Sequence, residues 1–251
     1  GVLFACINHD YGREAGRGGV GTVMGAKGLK AIVIRGTKSI PVADMDEYRK
    51  AGMALYRACI EAEGLKPWQT YGTTIVTSWC DEVGALPTRN FSAGSFEGGS
   101  KIYGAVMRDE IVITDKGCFG CPCPCGKYSH MKRYGTYVEG PEYETIGMLG
   151  SNVGLADIQA VAQANLLCDD LGIDTISAGG VIGWAMECFE KGILTTKDTD
   201  GLELRFGNTE AVFKLIEMIA YRKGLGALLA QGVKRAAQQV GKGSDKFAIH
   251  V

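Results

Sequence analysis

From residue 44 onward, apolar residues recur three and four positions apart over most of the chain, a spacing that predicts helices. Asp44 has the chemistry of an N-cap for a helix beginning near Met45. Along that helix Tyr48, Gly52, Leu55 and Cys59 fall on one stripe, expected to be buried. Leu155, Ile158, Ala162 and Leu166 repeat the pattern, as do Val212, Leu215, Ile216 and Ile219. The last stretch, Leu225, Leu228, Leu229, Val233, Ala236 and Val240, follows it again. Before residue 44 the pattern differs. A Gly-rich turn from residue 18 leads into a strand-like run, Ala31-Ile32-Val33-Ile34, closed by Gly36, and Pro41 marks a break. The predicted fold class is α+β, mostly α-helical. Residues 1–42 form the end of a β-containing domain and 43–251 a helical one. Three segments, 84–99, 117–142 and 201–208, are Gly/Pro-punctuated and expected to be irregular, which is where sites tend to sit.

Composition adds three constraints. Glycine makes up 37 of 251 residues, roughly double the ~7% average usage, in short clusters suited to backbone that must approach something closely. The formal net charge is −1 with basic residues scattered, which argues against nucleic acid and membrane surfaces as partners. No apolar stretch is long enough to span a bilayer, and no signal peptide is visible. The chain lacks an initiator Met and ends on Ala248-Ile249-His250-Val251, so it reads as an internal piece of a longer protein. Nine cysteines without secretory features point to reduced thiols, metal ligation and a cytoplasmic location.

Four of those cysteines lie in Cys118-Phe-Gly-Cys121-Pro-Cys123-Pro-Cys125-Gly. Gly120, Pro122, Pro124 and Gly126 turn the backbone and prevent a helix, so that thiolates can converge. The C-x2-C-x3-C run suits a [4Fe–4S] cluster, with Cys118, Cys121 and Cys125 as ligands. Cys123 fits the spacing least. The fourth thiolate would be Cys123 or a residue outside this chain. A four-thiolate zinc knot is the alternative, but its ligand pairs are normally separated by a longer loop. Cys6, Cys59, Cys80, Cys168 and Cys188 are isolated and expected to be buried structural thiols.

Residues 12–21 (GREAGRGGVG) mix cations with close-approach glycines, which suits a polyanionic cofactor, although a tight turn between strands explains them equally well. Within Cys168-Asp169-Asp170-Leu171-Gly172-Ile173-Asp174, Gly172 reads as a helix C-cap and Asp174 as the next N-cap. The Asp169 carboxylate offers acceptors to an N–H-rich heterocycle. Glu142 and Glu144 follow the cysteine segment; one of them with a raised pKa would be able to move a proton. His9 and His130 lack metal-ligand spacing.

Taken in order, these pieces resemble the tungsten-containing aldehyde:ferredoxin oxidoreductase family. The matching stretches are AGRGGVGTVMGAKGLKAI at 15–32, GALPTRNF at 84–91, CFGCPCPCG at 118–126, GPEYE at 140–144, CDDLGIDTIS at 168–177 and LRFGN at 204–208. The resemblance implies that residues 1–42 end an N-terminal domain on which a tungsten (or molybdenum) bis-pyranopterin lies, and that 43–251 cover it. By the same resemblance Arg13 and the backbone of Glu14 contact the pterin and a magnesium ion bridging the two pterins. Asp169, Gly172, Ile173 and Asp174 match a pterin-binding motif, while Cys118, Cys121 and Cys125 match cluster ligands. Glu144 matches the carboxylate near the metal, with Glu142 as the fallback. Two departures stand out. Gln163-Ala164-Asn165-Leu166 replaces an E-x-x-H metal site, and Cys123 stands where an aliphatic residue is more usual.

The implied reaction oxidises an aldehyde to a carboxylic acid, with electrons leaving through the cluster to ferredoxin. The family relation is compatible with a homo-oligomer or with a complex containing electron-transfer subunits. Two other readings stay open: aromatic acyl-thioester reduction in a larger complex, and a pterin-free iron–sulfur electron-transfer subunit.

Overall fold

A computed structural model describes residues 1–250. The chain opens with a hairpin of β1 (Ile7–His9) and β2 (Arg13–Ala15), in which His9 pairs with Arg13. Its turn passes through Asp10 and Tyr11 at positive φ and Gly12 at φ 107°, backbone most readily supplied by glycine. Helix α1 (Val20–Ala26) follows. The expected strand at Ala31–Ile34 is not formed: the segment is irregular, and Ile32, Val33 and Ile34 are 66%, 92% and 86% exposed. An apolar run becomes a strand only against a neighbouring strand, and no described segment pairs with it.

Helix α2 (Met45–Glu61) starts where expected, with the Asp44 carboxylate accepting from the Asp46 and Glu47 N–H groups, each at 3.0 Å. Its stripe is not buried, however. Tyr48 and Leu55 are exposed, and Cys59 is half-buried rather than the expected buried thiol. No residue of α2 is buried. The short helices α3 (Lys66–Tyr71), α4 (Val76–Glu82) and α5 (Gly104–Glu110) lead into a meander of β3 (Val112–Lys116), β4 (Gly126–Met131) and β5 (Thr136–Glu139). Residues 84–99 between them are irregular, as expected. Residues 117–142 are more ordered than expected, because they contain β4 and β5. Since Lys116 pairs with Gly126, the whole cysteine segment is the loop of the β3–β4 hairpin.

The core lies among α6 (Tyr143–Leu149), α7 (Ile158–Leu171), α8 (Thr175–Glu190) and α9 (Thr209–Tyr221). Ile158 and Ala162 of α7 and Val212, Leu215, Ile216 and Ile219 of α9 are buried. Each large aliphatic side chain among them contributes about 1.5–3 kcal/mol from burial. Helices α6 and α8 touch closely because a Cβ on Gly179 would collide with the Met148 backbone. The Trp184 indole is buried in α8 and donates to the Ser244 carbonyl at 3.0 Å. The final stripe is divided between α10 (Leu225–Leu229) and α11 (Val233–Val240), with Gly232 at φ 80° between them. No described helix is long and apolar enough to cross a membrane.

The N-terminal strand segment docks on the α7–α8 junction. The Cys6 N–H donates to the Gly172 carbonyl at 3.0 Å, the Asp174 N–H to the Phe4 carbonyl at 3.2 Å, and Ala5 bridges Ile173. These backbone bonds bring the first Arg/Gly cluster against the acidic helix junction, and they create the site.

Candidate functional site

The β1–β2 hairpin, the cysteine loop, the start of α6 and the α7–α8 junction surround a cleft of about 590 Å3. Arg13, Glu14, Glu142, Glu144, Asp169, Ile173, Asp174 and Cys118 all line it. Residues chosen from separate stretches of sequence therefore meet at one cavity. Gly172, Cys121 and Cys125 are not among its lining residues.

Helix geometry places the acidic junction. Asp157 caps α7 through the Gln159 and Ala160 N–H groups, and Gly172 ends it at φ 66° in the left-handed region. Asp174 then caps α8, accepting from Ile176 N at 3.2 Å, Ser177 N at 3.1 Å and Ser177 Oγ at 2.5 Å. Both predicted caps are present. Asp174 is also buried and lies 3.4 Å from Arg17 Nε. Ile173 turns its side chain into the core and donates its N–H to Cys168 O at 2.9 Å.

Asp169 carries the most perturbed carboxyl here, pushed up to about 8 by burial first and then by the nearby Glu14, Asp170 and Glu139. Asn165, one helical turn earlier, opposes this by donating to Asp169 Oδ2 at 2.8 Å. Glu14 is also raised, chiefly by burial, despite hydrogen bonds from Cys6 and Asn8. Asn8 Nδ2 spans the two acids, reaching Glu14 Oε1 at 3.0 Å and the Asp169 carbonyl at 3.2 Å. The Glu14 Oε2 atom is buried with no hydrogen-bond partner. Oxygens of this kind are suited to accept from the N–H groups of a bound heterocycle. Gly12, at φ 107°, passes beside Asp169, and a Cβ on it would sit in ordinary contact with Asp169 Oδ2 at 3.5 Å. These residues fit a pterin.

The carboxylates after the cysteine loop have different settings. Glu142 sits at the N-cap of α6, hydrogen-bonded by Thr73 Oγ1 and 3.7 Å from Arg13 Nη1. Glu144 lies in the first turn of α6, exposed to the cleft. Asp169 and Glu14 are the carboxyls of the cleft with a raised pKa. Beneath the loop lies a residue the sequence reading passed over: Glu139 is buried, 2.5 Å from Arg13 Nη2 and ion-paired with Lys116. It precedes the GPEYE motif by one residue, which was the only local cue.

Cys118 and Cys121 are exposed, and Cys123 and Cys125 half-buried, all as free thiols. Within the loop Cys121 N donates to Cys118 O at 3.0 Å and Cys125 N to Cys123 O at 2.8 Å. Burial, followed by Glu142, pushes the Cys125 thiol up, while Arg13 pulls it down. Among the described residues no three His, Cys, Asp or Glu side chains converge closely enough to hold a metal ion. The thiols share a loop without meeting at a point. In donor chemistry, three soft thiols on a Gly/Pro-turned backbone fit an iron–sulfur cluster. Cys6, Cys80, Cys168 and Cys188 are buried, as expected. His130 stacks on Tyr137 with ring centroids 4.3 Å apart, while His9 lines the cleft. Where the E-x-x-H metal site would lie, Gln163 accepts from Thr136 Oγ1 at 2.6 Å and Asn165 serves Asp169.

Family models match nearly all of this chain. Residues 1–36 match "Aldehyde ferredoxin oxidoreductase, N-terminal domain", and residues 50–251 match "Aldehyde ferredoxin oxidoreductase, domains 2 & 3". The tungsten-containing aldehyde ferredoxin oxidoreductase of Thermococcus kodakarensis is 42% identical over 245 residues, covering 96% of this chain and 40% of that protein. The WOR-like subunit of an aliphatic sulfonate oxidoreductase from Pyrococcus furiosus is 32% identical, covering 100% of this chain and 41% of that protein. Among solved structures, the active site complex BamBC of benzoyl coenzyme A reductase with 1,5-dienoyl-CoA superposes with a TM-score of 0.78 at 26% identity. That match covers 98% of this chain and 39% of the other. The chain thus spans about two fifths of the length of the relatives it matches.

Proposed function

This chain belongs to the aldehyde ferredoxin oxidoreductase family, and on that premise we propose that it is part of a tungsten-dependent oxidoreductase converting an aldehyde to a carboxylic acid. One observation carries the reading. The cleft gathers Arg13, Glu14, Asp169, Asp174, Glu142, Glu144 and Cys118 in one lining, a mix of charges and donors that supports a cofactor-binding and proton-handling reading.

A bis-pyranopterin tungsten centre, when bound, supplies the two-electron acceptor that no side chain provides. The chain's own residues do the rest. Asp169 and the unpartnered Glu14 Oε2 would accept from pterin N–H groups, and Gly172 would let its backbone come close. Arg13 would supply positive charge, and the Glu14 backbone would help hold a magnesium ion. Oxidation of an aldehyde with water releases two electrons and two protons. Glu144, exposed to the cleft, takes up a proton as general base, with Glu142 beside it. Cys118, Cys121 and Cys125 would hold a [4Fe–4S] cluster, which would supply one-electron transfer towards ferredoxin, and free thiols of this kind suit a reducing cytoplasm. Residue 42 is taken as the boundary between the cofactor-base domain and the helical domain.

The test uses the full-length protein as isolated. Pterin, tungsten, iron and sulfide are measured, then aldehyde turnover with ferredoxin or a viologen as acceptor. All four components with turnover are expected; iron and sulfide without pterin would overturn the reading in favour of an electron-transfer subunit. The likeness to the benzoyl coenzyme A reductase complex supports a second reading, reduction of an aromatic acyl thioester. Turnover of the thioester and of no aldehyde would select it.

A further inference from the structure

Glu139 is the most deeply buried acid in the site, its side chain only 2% exposed. A lone carboxylate so placed is costly, and it persists only where cations and hydrogen bonds compensate. Two cations do so from opposite sides. Arg13, on the strand that opens the cleft, lies 2.5 Å from Oε1, and Lys116 pairs with Oε2. Lys116 also donates to the Asp10 carbonyl at 3.1 Å, at the turn of the N-terminal hairpin.

The position of this triad matters more than its strength. Lys116 is the last residue before the cysteine loop, and its ladder partner Gly126 is the first residue after it. A Cβ on Gly126 would lie 3.0 Å from Glu139 Oε1 and 2.8 Å from the Lys116 carbonyl, and would also press on Arg13. The carboxylate therefore sits directly beneath the closure of the loop. Arg13 continues from it to Glu142 at 3.7 Å. Through Arg13 and Lys116 this one carboxylate connects the N-terminal hairpin, the base of the cysteine loop and Glu142.

We propose that Glu139 is a positioning residue, which fixes Arg13 and the base of the cysteine loop relative to each other and tunes the charge beside the cluster. This rests on the cluster reading above. Cluster potential responds to net charge nearby and to groups that orient the ligands. Removing the anion leaves Arg13 and Lys116 uncompensated, favouring the reduced cluster. Removing Lys116 does the reverse.

The test is potentiometric titration of the cluster, followed by EPR, in the full-length holoprotein and its Glu139→Gln and Lys116→Met variants. With iron content preserved, Glu139→Gln should raise the midpoint potential and Lys116→Met should lower it. Turnover of Glu139→Gln should fall about 10-fold, the low end of what outer-shell partners cost. Shifts in the same direction, or no shift in either, would overturn the proposal, since general loosening has no reason to change sign with the charge removed. If Glu139→Gln fails to fold, the half-exposed Lys116 decides alone: a lowered potential supports the proposal and an unchanged one overturns it. A wild-type protein without iron and sulfide would instead overturn the cluster reading itself, a result distinguishable from the others.

Discussion

Helices α2 and α9 look alike in sequence and differ completely in the folded molecule. Each has an Asx N-cap and an apolar stripe at helical spacing. In α9 the stripe, Val212, Leu215, Ile216 and Ile219, is wholly buried against the helical core; in α2, Tyr48 is 63% and Leu55 66% exposed. Helix formation depends on signals within four or five residues, whereas burial depends on a complementary surface that those residues do not encode. An amphipathic stripe thus predicts a face with good fidelity and says nothing about what covers it.

The contrast is best broken by truncating the two stripes. Ile216→Ala should cost about 2–5 kcal/mol of unfolding free energy, by lost burial and the cavity left behind, read from denaturant titration of the protein. A loss near zero would show that α9 is not part of the cooperative core. Next in size is the Asn208 cap, whose Oδ1 accepts from Ala211 N at 3.2 Å. Asn208→Ala should cost about 1 kcal/mol. Asp44→Ala, in contrast, should speed amide exchange within α2 and leave the global midpoint in place, because α2 carries no core contact.

The site adds a pH-dependent difference inside the buried half. Asp169 is pushed from 3.8 up to about 8, so the folded protein keeps a proton there that the unfolded chain has lost above about pH 4. The stabilisation is fully present below that value and is lost as pH rises through about 8. Asp169→Asn, uncharged throughout, should flatten the fall in Tm of the metal-free protein across this window. An unaltered slope would show that Asp169 titrates normally. The smallest effect belongs to Leu55→Ala, within about 0.5 kcal/mol as for other exposed positions. A cost matching that of Ile216→Ala would mean that another surface covers α2 in the assembled protein.

Much of the site was legible along the chain because its pieces are local. Gly172 had to close α7, Asp174 had to open α8, and four cysteines in eight residues needed a turning backbone. Asn165 stands one helical turn before Asp169 and could have been found once the register of α7 was known. Glu139 could not. It sits in an ordinary strand, and nothing in its neighbours announces that Arg13 and Lys116 will flank it. The strand at Ala31–Ile34 shows the opposite error, a local preference left without a partner to realise it.

Taken alone, then, the sequence determined the helices, their caps, the turn at Gly172 and the chemistry of the thiol loop, all interactions between residues a few positions apart. The tertiary structure alone decided that α9 is buried and α2 is not. It also made the cysteine segment a hairpin loop and set a buried carboxylate under that loop between two cations. Charge pairing and close approach join residues distant along the chain and leave no periodic trace in it, so only the folded backbone brings them together.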